Sequence, residues 1–541
     1  MLLLLVGAVF AGSLVLASSY PLIDPDEGRN AEVAREMLAI GDWVIPHLAG
    51  MPYLDKPPGL FWAEVLAFQM FGVTPFAARL PAAVAGAAIL WMAGGFALER
   101  AGRRRALILA ALLATAPLFA VLSAYVIFDM LLAACVTAVW IGVAREVLDA
   151  EAGQSRAGGP ARAFGIHLAL ALGVLVKGPV MLAWGIGGSL GAALLLRSRV
   201  PLAWALRWPG WLLFLALAGG WFAAALARHP EYLRYAFVDE TFRRMTTGAF
   251  EREQPWWFVP AVLAGGALPW SLATPWGRGL GTVSRAALGF VLFAAVFFTL
   301  SRSKLVTYLL PALPMLAWVA AEAWGDARRA ARGGAVLGVL LALIAVPAAI
   351  FGTERKLAEW ALFENPGLVA WAMQAARGLA IACVLLAALA FAGAWRRRAA
   401  LAVLAAALFA PAVLVIGGRM GAALAGAESG APLAEAIRAH DSGARVRYEY
   451  CYSPGTDFLL GRGGWFVTET GHEFTSNYQV IYRETIEGRG RWVPSPAPRF
   501  APPADVIVRP VRRRDLEPPA GWVEFHRDRR FVAYHPGPES R

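Results

Sequence analysis

Charge is scarce in this chain. Only 16% of its 541 residues are Asp, Glu, Lys or Arg, against roughly 25% in soluble domains, and that shortage excludes a water-covered globule of this length. Cysteine is scarcer still. Cys135, Cys383 and Cys451 are the three present, two of them inside apolar runs, which excludes a disulfide framework and a cysteine-pair metal site. No internal repeat or low-complexity tract stands out.

Apolar length is what the chain has instead. Hydrophobic residues make up 58% of it, its mean hydropathy is +0.54, and long apolar runs recur through the first 417 residues. Lipid is therefore the solvent for most of the chain. The formal charge of +12 does not point to nucleic acid, because the arginines sit in short loops between the apolar runs.

At about twenty apolar residues per crossing, about thirteen spans are expected, near 2–19, 78–98, 106–122, 125–144, 163–177, 179–196, 208–227, 258–276, 286–300, 305–323, 333–352, 372–394 and 399–417. Leu2 to Ala17 lacks a basic leader and is longer than a signal-peptide core, so it reads as an uncleaved first helix. The step through Lys177, Gly178 and Pro179 leaves room only for a tight turn. Every loop after an even-numbered span is basic, as at Arg103 to Arg105, Arg197 to Arg207 and Arg396 to Arg398. The positive-inside rule makes those loops cytoplasmic. The N-terminus is then inside and the C-terminus outside.

Two loops on the outer side are long, 20–77 and 228–257. The first holds amphipathic stretches at 27–40 and 59–71, read as helices lying at the interface. Beyond residue 417 the composition turns charged and rich in Pro and Gly. A helix is expected over 433–440 and period-two strands over 446–452, 479–482 and 506–509. The predicted architecture is an all-α polytopic membrane domain, 1–417, followed by a small soluble α/β domain, 418–541, on the outer face.

The same side collects the ionisable residues. Asp26, Glu27 and Arg29 follow the first span, and Asp55 and Lys56 close the first outer loop. Asp129 lies at the outer end of the fourth span and Lys177 at the fifth–sixth junction. Glu240, Arg243 and Arg244 lie in the second outer loop. Arg302 and Lys304 open the tenth span, with Tyr308 expected one helical turn beyond Lys304 on the same face. Singly, each has a plain explanation: a capping Asp129, a snorkelling Lys177, interfacial arginines, acids in a wet loop. Their convergence does not, because ionisable groups at membrane depth are costly. Cations in a largely dry cleft suit a phosphate, and isolated carboxylates suit proton transfer or a metal.

The segments Asp26-Glu27-Gly28-Arg29, Ala34-Arg35-Glu36-Met37-Leu38, Gly41-Asp42-Trp43, Tyr53-Leu54-Asp55-Lys56-Pro57-Pro58 and Ser303-Lys304-Leu305-Val306-Thr307-Tyr308-Leu309-Leu310-Pro311 resemble the bacterial branch of the GT-C glycosyltransferases. That branch holds the aminoarabinose lipid A transferase and relatives of the protein O-mannosyltransferases. The motifs cover residues 1–330. The resemblance implies a GT-C fold and transfer of a sugar from an undecaprenyl phosphate carrier to lipid A, another envelope glycan or a protein, on the periplasmic side of the inner membrane. It matches Asp26 and Asp129 to cavity carboxylates. Lys56, Arg302, Lys304 and Tyr308 match positions around the carrier phosphate, with Arg29 a further candidate, and Lys177, Arg243 and Arg244 join the phosphate-binding candidates by their place among the outer-side cations. It also implies a metal held by the acid before the loop lysine and by a histidine after a glutamate in the second outer loop. Here the residue after Glu240 is Thr241, so the expected ligands reduce to Asp55 and Glu240, with Asp239 the alternative to Glu240. The carrier phosphate leaves as a stable anion that cations must hold. A hydroxyl acceptor would need a base, for which Asp26 is the candidate, and a phosphate acceptor, ionised near pKa ~6, would not. A lipid or sugar transporter is the alternative, but its usual repeat symmetry and midplane sites are not evident.

Overall fold

The structure, a computed structural model, describes residues 2–153, 159–243, 253–268, 270–274, 279–325, 327–351, 366–396, 425–426, 428–468, 471–482, 492–494, 504–513 and 520–537. Among these, seven helices are long and apolar enough to cross a membrane: Pro75–Ala114, Phe128–Glu151, Gly159–Lys177, Trp208–Arg228, Thr282–Leu300, Val306–Trp324 and Ala376–Trp395. The chain is a multi-pass membrane protein. Shorter apolar helices, including Val180–Leu196, fill other expected spans. The expected span 258–276 is broken into Phe258–Gly266 and Trp270–Ala273. The thirteenth, 399–417, and the expected domain boundary after it lie outside the described residues.

Local chemistry sets the ends of these helices. Helix α1 is Leu2–Ser18, α2 is Asp26–Ile40, α3 is Gly59–Phe71 and α4 is Pro75–Ala114. Thr74 caps α4 by accepting from the Ala77 N–H at 3.2 Å, with Pro75 in the first turn, where no amide partner is lost. Inside α4, Gly102 has φ 80° and ψ 171°, a conformation open to glycine almost alone. The basic segment Arg100 to Arg105 is therefore a one-residue hinge between two helical halves rather than a loop. Gly178, at φ 76°, makes the tight turn after Lys177.

The C-terminal residues form a six-stranded mixed sheet. With β1 (His47–Leu48) and β2 (Met51–Pro52) pairing as a hairpin in the first long loop, the sheet strands are β3 (Val446–Glu449), β4 (Trp465–Thr468), β5 (Trp492–Pro494), β6 (Val506–Pro510), β7 (Trp522–Arg527) and β8 (Phe531–Pro536), in the order β5-β4-β3-β6-β8-β7. The first three neighbour pairs are parallel and the last two antiparallel. Helices Ala431–His440 and Pro454–Leu460 accompany it. The expected strand 479–482 is instead covered by a short helix, Asn477–Ile481. Ser476 caps it by accepting from the Gln479 N–H at 3.2 Å, and this local bond outweighs two residues of alternation.

Helix α2 does not lie on an open interface. Ten of its fifteen residues are buried, because it is held between α3 and the C-terminal helix Pro454–Leu460. Its acids find partners that make burial tolerable: Glu27 pairs with Arg79, Glu32 with Arg35, and Glu36 accepts from the Gly50 N–H. Just before α2, buried Asp24 accepts from the Ser453 hydroxyl at 2.7 Å, the Gly455 N–H at 2.9 Å and Arg530 at 3.1 Å. Gly28 meets Gly455 so closely that an added Cβ would stand 2.7 Å from the Gly455 nitrogen. The sheet domain is thus fixed to the membrane bundle through α2.

Candidate active site

Adjacent acids at the start of α2 have opposite environments. Glu27 and Arg79 are both 0% exposed. Arg79 donates to the two Glu27 oxygens at 2.8 and 2.6 Å and to the carbonyls of Ala17, Tyr20 and Pro21 at 2.8, 2.7 and 3.0 Å. Glu27 also accepts from the Val126 N–H at 2.9 Å. This buried network ties the end of α1, the start of α2, α4 and the approach to the helix Phe128–Glu151 into one frame. Asp26, turned about 100° away by helical geometry, has a side chain 57% exposed and faces a cavity.

That cavity measures about 510 Å³ and its lining runs from Asp26 to Tyr308. Aromatic side chains, among them Phe128, Trp184, Phe222, Phe297, Phe298 and Tyr308, supply much of its wall. Of the residues singled out from the sequence, it brings together Asp26, Arg29, Asp55, Lys56, Asp129, Lys177, Glu240 and Tyr308. Three ion pairs organise them. Arg29 bonds Asp26 at 2.7 Å, and Lys56 bonds Glu240. Lys177 bonds Asp129 and lies 4.8 Å from the centre of the Tyr308 ring. Asp129 is in the first turn of its helix and Lys177 in the last turn of its own, so each charge also meets the favourable end of a helix dipole. Burial works against the Arg29 charge, but Tyr53, Asp26 and Asp55 more than offset it and hold its pKa above the ordinary guanidinium value.

Other expected residues fall elsewhere. Arg302 pairs with Glu253 at 3.2 Å, with both side chains more than half exposed. Lys304 donates to the Gln254 carbonyl at 2.9 Å. Neither lines the cavity, although Ser301, Ser303 and Leu305 do. Lys304 and Tyr308 do not share a helical face, because Leu305 is extended (φ −127°, ψ 150°) and a 3-10 helix begins only at Val306. The Arg243 side chain and all of Arg244 lie outside the described residues.

The expected metal ligands have other partners. Asp55 accepts from the hydroxyls of Tyr235 and Ser476 and from the Tyr478 N–H at 3.0 Å, so both its oxygens face donors. Glu240 bonds Lys56. Among the described residues, no group of three or more His, Cys, Asp or Glu side chains is arranged to hold a metal ion. Asp55 is thus engaged as a hydrogen-bond acceptor on both oxygens and Glu240 as the counter-charge of Lys56, so the two acids do not form the metal site that the resemblance implied.

Sequence reasoning did not single out Tyr235, Ser476 or Tyr478. The aromatic wall was equally invisible, since an apolar run gives no sign of which aromatics face a cavity. Burial, and next the Asp55 charge, push the Tyr235 phenol well above its ordinary pKa, which keeps it a donor.

A family model described as dolichyl-phosphate-mannose-protein mannosyltransferase matches residues 20–224. An undecaprenyl phosphate-alpha-4-amino-4-deoxy-L-arabinose arabinosyl transferase of Aeromonas hydrophila is 30% identical over 311 residues, covering 56% of this chain and 56% of the relative. Its counterpart from Pseudomonas aeruginosa is 32% identical over 370 residues, 63% of this chain and 64% of the relative. The alignments thus take in less than two thirds of either relative's length. The crystal structure of ArnT from Cupriavidus metallidurans, bound to undecaprenyl phosphate, superposes with a TM-score of 0.79 at 22% identity, covering 98% of this chain and 97% of that one; this is a likeness of fold. The chain thus has the fold of that GT-C structure, and over part of its length it is similar in sequence to the aminoarabinose transferases and to the protein mannosyltransferase model.

Proposed function

We propose that this chain moves a sugar from a polyprenyl phosphate carrier to an acceptor in the bacterial envelope, on the periplasmic face of the inner membrane and with inversion. The observation that carries this reading is the single cavity in which three cation–carboxylate pairs meet an aromatic wall. Its apolar side suits a lipid carrier, and its cations suit the carrier's phosphate. The basic loops support the orientation, since they leave the long outer loops and residues 418–541 on the opposite face.

In the reaction, the bond between the anomeric carbon and the carrier phosphate oxygen breaks, and its electron pair leaves with the phosphate. The acceptor oxygen bonds the anomeric carbon from the opposite face. Lys56, Lys177 and Arg29 stabilise the phosphate as its charge grows. Each is held by a carboxylate before substrate arrives, and the phosphate competes for the same donors. Asp26, the most exposed cavity carboxylate of those three pairs, takes the proton of a hydroxyl acceptor. Asp129 keeps Lys177 in place. No step runs through a metal. A lipid A phosphate, another envelope glycan or a protein hydroxyl receives the sugar.

Mass spectrometry of lipid A and envelope glycans, with and without this gene, tests the proposal. Loss of one sugar substituent, restored by the wild-type gene and, where the acceptor is a hydroxyl, not by Asp26→Asn, supports it. An unchanged set of glycans, or intact carrier-linked sugar accumulating on one leaflet as in a flippase defect, contradicts it.

A further inference from the structure

Two side-chain rungs join the end of the first outer loop to the π-helical segment Tyr235–Arg243. Asp55 meets Tyr235, and its neighbour Lys56 meets Glu240. Tyr235 and Glu240 are five residues apart, about one π-helical turn, so the rungs stack. The second rung faces the cavity with the cation. The first is gripped from outside the membrane domain, because Ser476 and the Tyr478 N–H both donate to Asp55.

The grip extends along one short stretch of the C-terminal domain. Thr475 accepts from Arg29 Nη1 through its hydroxyl at 2.7 Å and its carbonyl at 3.1 Å. The Tyr478 hydroxyl donates to Glu231 at 2.6 Å, Gln479 donates to the Leu48 carbonyl at 3.1 Å, and the Tyr482 hydroxyl donates to Asp239 at 3.2 Å. Residues 475–482 therefore hold both long loops at once, and three of them, Thr475, Ser476 and Tyr478, end on Arg29 and on the residue before Lys56.

We propose that Ser476 and Asp55 are positioning residues, and that residues 475–482 form a clamp by which the C-terminal domain sets Arg29 and Lys56 for the carrier phosphate. A lysine on a flexible four-carbon stem is placed only as well as the backbone beneath it. Three donors on one buried carboxylate fix that backbone. The clamp does the locating at the position where the family resemblance implies a metal, and it accounts for an acid here without the companion histidine. Its role rests on the reading of the cavity as the carrier-phosphate site.

The experiment titrates undecaprenyl phosphate into purified full-length protein in detergent. Ser476→Ala is expected to raise Kd about tenfold, the order for one hydrogen bond to a charged group, with the unfolding midpoint shifted by no more than a few degrees. Ser476→Thr keeps the hydroxyl and restores wild-type affinity. Tyr235→Phe removes a donor to the same carboxylate from the membrane-domain side and raises Kd similarly, giving a second reading should Ser476→Ala fold poorly. A Kd within twofold of wild type in both Ser476→Ala and Tyr235→Phe overturns the clamp alone. Absence of saturable binding to the wild-type chain overturns the site reading and the clamp with it.

Discussion

Replacing Glu27 by Gln separates two neighbouring acids that the sequence presents as a pair. The Glu27 carboxylate accepts two bonds from Arg79, one from the Val126 N–H and one from the Ile23 N–H at 3.1 Å. A glutamine keeps one acceptor oxygen and turns an NH2 group toward a donor, and the fully buried guanidinium loses its counter-charge. Breaking a buried pair in this way costs about 3–5 kcal/mol, a loss of roughly two to four powers of ten in the folded-to-unfolded ratio. Asp26→Asn, by contrast, alters a pair whose carboxylate is 57% exposed although Arg29 is largely buried. Water stands in for much of what is lost there, and the cost lies nearer that of a surface pair, about 0–1 kcal/mol. Unfolding both variants in mixed micelles, followed through the intrinsic fluorescence of the chain's 21 tryptophans, compares them directly. Equal stability of Glu27→Gln and wild type, or an equal loss in both variants, refutes the division of labour between frame and site.

Gly28→Ala is expected to destabilise the seat of the C-terminal domain by about 1–3 kcal/mol through overpacking against Gly455, measured as faster proteolytic separation of the two parts. Lys56→Met and Lys177→Met are each expected to weaken undecaprenyl phosphate binding by about tenfold or more, while Lys304→Met stays within twofold of wild type. A large effect from Lys304→Met would return that residue to the site. Burial tends to raise the Glu231 pKa, but hydrogen bonds from Tyr478 and His229 outweigh it and leave it below its ordinary value of 4.5. A depressed pKa contributes stability above the unfolded value and loses it as pH falls through the folded one. Domain docking is thus expected to loosen as pH falls below about 4.5, less so in Glu231→Gln, as proteolysis at graded pH would report.

Much of the site was legible because ionisable residues stand out at the ends of apolar runs. Asp26, Lys56, Asp129 and Lys177 were found that way, and the structure gathers them in one cavity. Arg302 and Lys304 carried the same signal and fall outside the lining. The difference is that Ser301, Ser303 and Leu305 line the cavity while Arg302 and Lys304 alternate with them, on a stretch that is still extended at Leu305, and an expected helix gives no sign of that alternation. Arg79 was illegible for the opposite reason. It sits within an expected span, and only the tertiary meeting with Glu27, 52 residues away, explains a charge there. The hinge at Gly102 looked like an ordinary basic loop, since a sequence marks the charge and not the backbone angle. The partners of Asp55 lie 180 residues on at Tyr235 and more than 420 on at Ser476 and Tyr478, beyond any local pattern.

The central claim is that cations and Asp26 in one cavity carry out sugar transfer from a lipid phosphate. Purified chain, given an undecaprenyl phosphate-linked aminopentose and either lipid A or a glycan with free hydroxyls, is assayed for released undecaprenyl phosphate and for sugar on the acceptor. The account predicts equimolar release and acceptor modification by wild type, with Asp26→Asn binding the carrier normally and yielding neither product from a hydroxyl acceptor. Full turnover of a hydroxyl acceptor by Asp26→Asn, or sugar that stays on its carrier with wild type and both acceptors, would contradict it.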